Sequence, residues 1–459
     1  MDIKSNILET IGNTPLIKLN KMAADIKATI LVKSEMFNPG GSVKDRIGLN
    51  MIVDAEKRGV IKPGDIIVEP TSGNTGTGLA LTAIIKGYQI IFTIPDKMSQ
   101  EKIDLLRSFG AKVIVTPTSV PPDHPMNYVE VAKKIVRETP NAHMLNQFGN
   151  QANPEIHYQT TGPEIWEQTD GQVDVFVATM GTGGTISGTG RYLKEQNPKI
   201  KVIGVDPEGS MYHHHFNQTE GEVFSYKVEG IGEDFIPTTI DFDVIDEILV
   251  ASDKDAFHTA RRLVREEGIF AGGSAGMALF GALQFAQSED VEQTIVVMLP
   301  DTGRNYLKKL YSDSWMIQNN FMESEGDEIE IRAILSVKQN KIRDVISVQP
   351  SDTLQHGFEL MQKFGISQLP VIEDEVVVGS LNEKDLIKHL TADGPAVEKV
   401  KDLMAGPLAI LDLNDKISSP LSLFSEQNAV LVKDHQKIVN VITPTDVLAF
   451  FLQHRRDIS

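Results

Sequence analysis

From Ile66 to about Leu299 the chain repeats one unit: a short apolar strand, a turn bearing glycine, and a helical pattern. "DIIVEPTSGNTGTGLALTAIIKG", "YQIIFTIPD" with "QEKIDLLRSFG", "VDVFVATMGTGGTISGTGRYLKEQ" and "KVIGVDP" are the clearest cases. Strands that are apolar throughout, rather than at alternate positions, must be covered on both faces, so the pattern predicts βαβ units and a parallel sheet, an α/β fold. Near Asn320 the texture changes to the acidic "NNFMESEGDEIEIR", and a weak internal repeat follows. "KIRDVISV" matches "KVKDLMAG", and "LPVIEDEVVVGSLNEKDLI" matches "AVLVKDHQKIVNVITPTDVL". Each unit ends strand, turn, helix, which predicts a pseudo-symmetric pair of modules. The expected organisation is a first domain over 1–320, a linker over 321–336, and two modules over 337–392 and 393–459.

Charge and residue usage narrow the partners. A net charge of -19 disfavours nucleic acid and anionic membranes, which need a basic field. The absence of cysteine removes disulfides, thiolate metal sites and thiol nucleophiles. "MDIKSNILETIGNTPL" lacks an export signal, and the apolar run "LALTAII" stops at Lys86, far short of a membrane span. A cytoplasmic protein acting on a small molecule is expected.

Three uses compete for Lys44 in "NPGGSVKDRI": surface charge, phosphate clamp, or covalent attachment of a cofactor. A P-loop needs a different glycine spacing and a hydroxyl after the lysine, and Asp45 stands there. Ser42 with Asp45 resembles a capping box, and Val43, Ile47, Met51 and Ala55 recur at helical spacing until Arg58-Gly59. Lys44 therefore falls in a first helical turn, where the helix dipole disfavours its ammonium form and favours Schiff-base chemistry.

Two further loops bear on the choice. "TMGTGGTISG" follows an apolar strand and opens a helix, so the N–H groups of Gly181, Thr182, Gly183, Gly184 and Thr185 can cradle a phosphate. A dinucleotide fold competes for this loop, with Asp206 as its ribose acid, but its third glycine would fall on Ile186. "PTSGNTG" also joins strand to helix and offers hydroxyls and N–H groups to a carboxylate. A phosphate loop, a carboxylate loop and a lysine outline an amino-acid enzyme that uses pyridoxal phosphate.

"GNTPLIKL", "NPGGSVKDRI", "PTSGNTG", "NQFGNQANP", "GTGGTISG", "EGIGEDFIP" and "GGSAG", in that order, closely resemble the β-replacement branch of fold-type II pyridoxal phosphate enzymes, the cysteine synthase and cystathionine β-synthase family. The resemblance covers residues 5 to about 312, and residues 336–459 resemble that family's tandem regulatory CBS domains. It implies two parallel α/β subdomains, with Lys44 carrying the cofactor and taking the Cα proton. It also implies that Asn74 bonds the ring oxygen, that Gly181 to Thr185 hold the phosphate, and that Ser274 faces the pyridine nitrogen. A hydroxyl there cannot keep the ring protonated, which favours loss of a β-substituent over transamination. Thr71, Ser72, Thr75 and Gln147 would bind the substrate carboxylate, and Glu233 the ammonium of homocysteine. The implied reaction joins serine or O-acetylserine to homocysteine in a homodimer or higher homo-oligomer. Phe148 in "NQFGNQANP" has the flavour of cysteine synthase, the alternative, which uses sulfide. β-Elimination shares the fold, and a nucleotide sensor on an inactive scaffold is the non-catalytic alternative.

In the tail, Thr443 and Asp446 in "VITPTD" stand where this module family grips an adenosyl ribose, with Asp385 and Asn382 in the first module. Asn382 stands in place of the hydroxyl there, and two readings follow: a sensor of S-adenosylmethionine or another adenine nucleotide, or a dimerisation or packing module that binds nothing. The chain starts close to its catalytic motif and has no cysteine, so no haem is expected. "MYHHHF" lacks the spacing of a metal site, and none is expected.

Overall fold

The computed structural model describes residues 3–454 apart from 72, 97, 99, 118–119, 122–123, 324–328, 337, 339–344, 392–397, 418–423, 425–428 and 436. The chain divides into two compact units, Met1–Ser312 and Asp313–Ser459. The first holds two sheets. A six-stranded sheet runs β1 (Leu16–Lys18), β2 (Thr29–Ser34), β10 (Thr294–Leu299), β7 (Val175–Thr179), β8 (Lys201–Pro207) and β9 (Glu247–Ala251), parallel except for β1. A four-stranded parallel sheet runs β5 (Lys112–Thr116), β4 (Gln89–Pro95), β3 (Ile66–Pro70) and β6 (Ala142–His143). This is the two-subdomain α/β fold expected. The helices are α1 (Lys44–Lys57), α2 (Asn74–Lys86), α3 (Gln100–Ser108), α4 (Tyr128–Glu138), α5 (Ala152–Ile156), α6 (Gly162–Gln168), α7 (Gly184–Gln196), α8 (Tyr212–Asn217), α9 (Asp253–Glu267) and α10 (Gly273–Glu289). The strands β3 and β7 are buried along most or all of their length, as non-alternating strands require.

Helix α1 buries the predicted stripe, with Ile47, Met51 and Ala55 inaccessible against Leu79, Ala80 and Ala83 of α2. A Cβ on Gly48 would lie 2.3 Å from the Gly78 carbonyl carbon, and one on Gly78 would lie 2.6 Å from Lys44 O. The two backbones therefore touch, and only glycine permits the crossing. The capping box read into Ser42 and Asp45 is not formed. Val43 N–H donates to Pro300 O and Thr302 N–H to Gly41 O, so the segment around Ser42 pairs with the turn after β10. Asp45 instead accepts from Gly40 N–H at 2.5 Å, and burial raises its pKa to about 7.

In the second unit the repeat appears as two hairpins, Gln368–Glu373 with Val376–Asn382 and Val430–Asp434 with Lys437–Ile442. Each has a register irregularity at the same place, Val371/Ile372 and Val432/Lys433, and each leads into a helix. Part of the stretch expected as linker belongs to this unit's core. Ile329–Glu330 pairs with Lys416–Ile417, and Ile331 and Ile334 are fully buried beside Val432 and Ile442. Lys341–Asp344, the start of the first repeat, and the 392/393 boundary lie outside the described residues. Among the described residues no helix is long and apolar enough to cross a membrane.

Candidate active site

Open parallel sheets bind ligands outside the carboxyl ends of their strands, and the segments in question leave those ends. Lys44 follows β2, Thr71 and Asn74 follow β3, Gly181 to Thr185 follow β7, and Asp301 follows β10. Lys44 keeps some accessible surface, yet the surrounding protein withholds water from its amine and lowers its pKa to about 8, the charges of Asp301 and Glu233 opposing the shift only in part. At pH 7.5 about a quarter of such a lysine is free amine, against about one part in a thousand for an ordinary one.

The glycine loop leaves no room for side chains. A Cβ on Gly181 would lie 2.5 Å from Gly230 O, on Gly183 2.3 Å from Ile240 Cβ, and on Gly184 2.0 Å from Asn153 Oδ1. Gly183 also has φ +79°. Bare backbone therefore runs into the start of α7, whose first N–H groups lack intrahelical partners. Asn153 Nδ2 donates to Thr182 Oγ1 at 2.9 Å, Asn153 Oδ1 is buried without a partner among the described residues, and Thr185 Oγ1 lies 3.2 Å from His157 Nε2. A bare backbone cradle with hydroxyls on a 13-residue helix fits a phosphate group. Asp206, the acid of the competing dinucleotide reading, accepts the His213 N–H on Oδ2 at 3.0 Å, which ties it to the start of α8.

Around the second sheet, Thr75 Oγ1 donates to Gln147 Oε1 at 2.6 Å, which brings two of the expected carboxylate ligands together. Thr71 is buried beside them, and Ser72 lies outside the described residues. Asn74 Nδ2 donates to Asp301 Oδ2 at 2.8 Å. Ser274 is buried in the first turn of α10, after Gly272, whose N–H donates to Asp301 O. Glu233 is half-buried, its backbone N–H held by Ser210 Oγ at 3.2 Å. The loop carrying it meets the Gln147 loop through an edge-on contact of Phe148 with Phe235 at 5.3 Å.

Several residues at this site escape a reading of the sequence. Asp301 takes the Tyr306 hydroxyl at 2.7 Å besides Asn74, has Oδ1 without a partner among the described residues, and has its pKa raised by burial. Glu69, an acid inside the apolar "IIVEP", accepts the N–H groups of Leu145, Asn146 and Gln147 at 3.0 to 3.1 Å, and burial lifts its pKa to about 7 despite them. That acid within an apolar strand is the signal that could have found it. Arg46, two residues from Lys44, is buried between Glu35 (2.8 Å) and Glu164 (2.6 Å), and Lys33 meets Glu164 at 2.7 Å. Burial alone would raise Glu164, but Arg46 outweighs it and brings the pKa to about 2.

In the second unit Thr443 Oγ1 donates to Asp446 Oδ2 at 2.8 Å, and Thr443 N–H to the same oxygen at 2.9 Å. Lys338 Nζ approaches that carboxylate at 3.2 Å. Asn382 and Asp385 pair in the same way, with Asp385 N–H on Asn382 Oδ1 at 2.9 Å. His214 Nδ1 lies 3.2 Å from Thr219 Oγ1, and among the described residues no three metal-ligating side chains converge.

Comparison with known proteins agrees with this geometry. Residues 7–301 match the family model "Pyridoxal-phosphate dependent enzyme", and residues 341–392 match "CBS domain". The chain is 42% identical to cystathionine beta-synthase of Dictyostelium discoideum, over 99% of this chain and 93% of that protein. It is 35% identical to the Saccharomyces cerevisiae protein of the same name, over 98% of each. Among solved structures, a hydrogen sulfide-producing enzyme from Fusobacterium nucleatum matches with 39% identity and TM-score 0.62, over 66% of this chain and all of that one. O-ureido-L-serine synthase matches with 36% identity and TM-score 0.63, over 68% of this chain and 98% of that one.

Proposed function

This chain belongs to the cystathionine β-synthase family of pyridoxal-phosphate-dependent enzymes, and from that premise we propose that it joins L-serine or O-acetylserine to L-homocysteine, giving L-cystathionine by β-replacement. The observation that carries this reading is Lys44, an amine stripped of water beside a carboxylate-binding loop and a bare glycine cradle. When bound, pyridoxal 5'-phosphate supplies an electron-withdrawing ring that makes the substrate Cα–H acidic and lets the β-substituent leave. Gly181, Thr182, Gly183, Gly184 and Thr185 would hold its phosphate, Asn74 its ring oxygen and Ser274 its ring nitrogen.

Thr71, Ser72, Thr75 and Gln147 hold the amino-acid carboxylate, which orients the Cα–H toward Lys44. Lys44, largely deprotonated above its depressed pKa, takes the Cα proton and returns it once the thiol has added. Glu233 pairs with the ammonium of homocysteine, a group sulfide lacks. The same reading gives Asp385, Thr443 and Asp446 a part in holding S-adenosylmethionine or another adenine nucleotide, and gives the enzyme a homodimeric or higher assembly in the cytoplasm.

The test is product analysis by mass spectrometry, offering serine or O-acetylserine with homocysteine or sulfide. Cystathionine is expected as the fastest product, and Glu233→Ala should slow its formation while sparing cysteine. Cysteine from O-acetylserine and sulfide as the sole efficient product would instead favour the cysteine synthase reading raised by Phe148.

A further inference from the structure

Between Ala152 and Gln168 the backbone is not one regular helix. Helix α5 passes into a single π-helical turn, His157–Thr161, closed by Gly162 N–H donating to His157 O, before α6 continues. Turns of this kind are rare and are found frequently at functional sites. This one lies against α7 without slack. A Cβ on Gly188 would sit 1.9 Å from Pro154 O and 2.9 Å from His157 Cβ, and one on Gly162 would sit 2.7 Å from Tyr192 Cβ.

The turn touches both halves of the cofactor machinery. Thr160 Oγ1 accepts from Arg46 Nη1 at 3.1 Å, on the helix that begins with Lys44. The His157 ring lies with Nε2 3.2 Å from Thr185 Oγ1 and Nδ1 2.9 Å from Thr161 Oγ1. His157 is fully buried, and burial, with the charges of Arg46 and Lys44 adding to it, holds its pKa well below the ordinary value. It is therefore a neutral ring with one donor and one acceptor nitrogen.

The two tautomers have opposite effects on the loop. With the proton on Nδ1, Nε2 must accept the Thr185 hydroxyl hydrogen, and Thr185 has none left to give. With the proton on Nε2, the ring donates to Thr185 Oγ1, the Thr161 hydroxyl donates to Nδ1, and Thr185 is released to donate to an anion. We propose that His157 is a positioning residue for the cofactor phosphate, held by the π-helical turn as the Nε2–H tautomer so that the Thr185 hydroxyl points at the phosphate. This rests on the reading of residues 181–185 as the phosphate loop.

The test uses full-length, cofactor-loaded protein labelled with 15N-histidine, with the His157 signals assigned by their loss in a variant. The expected result is a protonated Nε2 and a bare Nδ1. Alongside it, the cofactor dissociation constant and the 31P signal of the bound phosphate are read in His157→Leu, which has no donor, and His157→Gln, whose amide can replace Nε2–H. Leu should weaken cofactor binding about tenfold, the worth of one hydrogen bond to a charged group, and Gln should restore most of it. A proton on Nδ1 in the loaded protein overturns the proposal, and that reading stands even if the Leu variant does not fold. Wild-type affinity and 31P signal in His157→Leu also overturn it, provided that Thr185→Val weakens binding. If Thr185→Val changes neither, the phosphate-loop reading itself has failed.

Discussion

In the first unit Asn74 reaches an acid 227 positions away, Asp301, whereas in the second Asn382 and Asp385, and Thr443 and Asp446, reach only three positions along the chain. The residue types are the same, an amide or hydroxyl with an acid after a strand. Asn382 accepts the Asp385 N–H at the start of its own helix, as a cap does, and Asp446 reaches back to accept the N–H and hydroxyl of Thr443. The long-range partners satisfy one another incompletely, since Asp301 Oδ1 and Asn153 Oδ1 are buried without a partner among the described residues. Buried polar atoms are as a rule hydrogen-bonded, so each of these calls for an explanation, of which a bound ligand is one. The difference separates residues paired along the chain from residues brought together across the fold.

Substitutions can sharpen that contrast. The largest effect on stability is expected at Arg46, whose removal leaves Glu35 as a buried charge without its ion-pair partner and Glu164 with Lys33 alone. Arg46→Ala should cost about 3–5 kcal/mol by denaturant titration of the first unit's transition. Next comes the pH dependence of cofactor capture. Because the Lys44 pKa is lowered to about 8, the reactive amine is scarce below that pH and nearly complete above it. The rate at which stripped protein recaptures cofactor should rise about tenfold from pH 7 to pH 9 and then level off. A rate still climbing at pH 10 would give Lys44 an ordinary pKa. The smallest effect belongs to the second unit, where Thr443→Val should cost about 1 kcal/mol as the lost hydrogen bond from its hydroxyl to Asp446. A larger loss there would make the pair more than a local hydrogen bond.

What was legible in the sequence had local causes. The glycine loops could be read because they announce bare backbone within a few residues, and the stripe Ile47, Met51, Ala55 because a helix repeats every 3.6 residues. The parallel α/β character followed from apolar strands flanked by helices, and the division into two subdomains from the family resemblance. The contacts that complete the site could not be read in the same way. Gly48 meets Gly78, Arg46 meets Glu164 at a separation of 118, and His157 meets Thr185, pairings with no local period. Ser42 shows the converse, a local capping signal overridden when the chain around it paired with the turn after β10. Part of the expected linker was misread because an acidic stretch hid Ile331 and Ile334, which the second unit buries.

The account stands on Lys44 as the point of cofactor attachment, and borohydride reduction of the loaded protein followed by peptide mass mapping tests it most directly. One adduct is predicted, on the peptide carrying Lys44, with none in Lys44→Ala. An adduct on another lysine of the wild-type protein, or loading of Lys44→Ala that reduction fixes equally well, would contradict it.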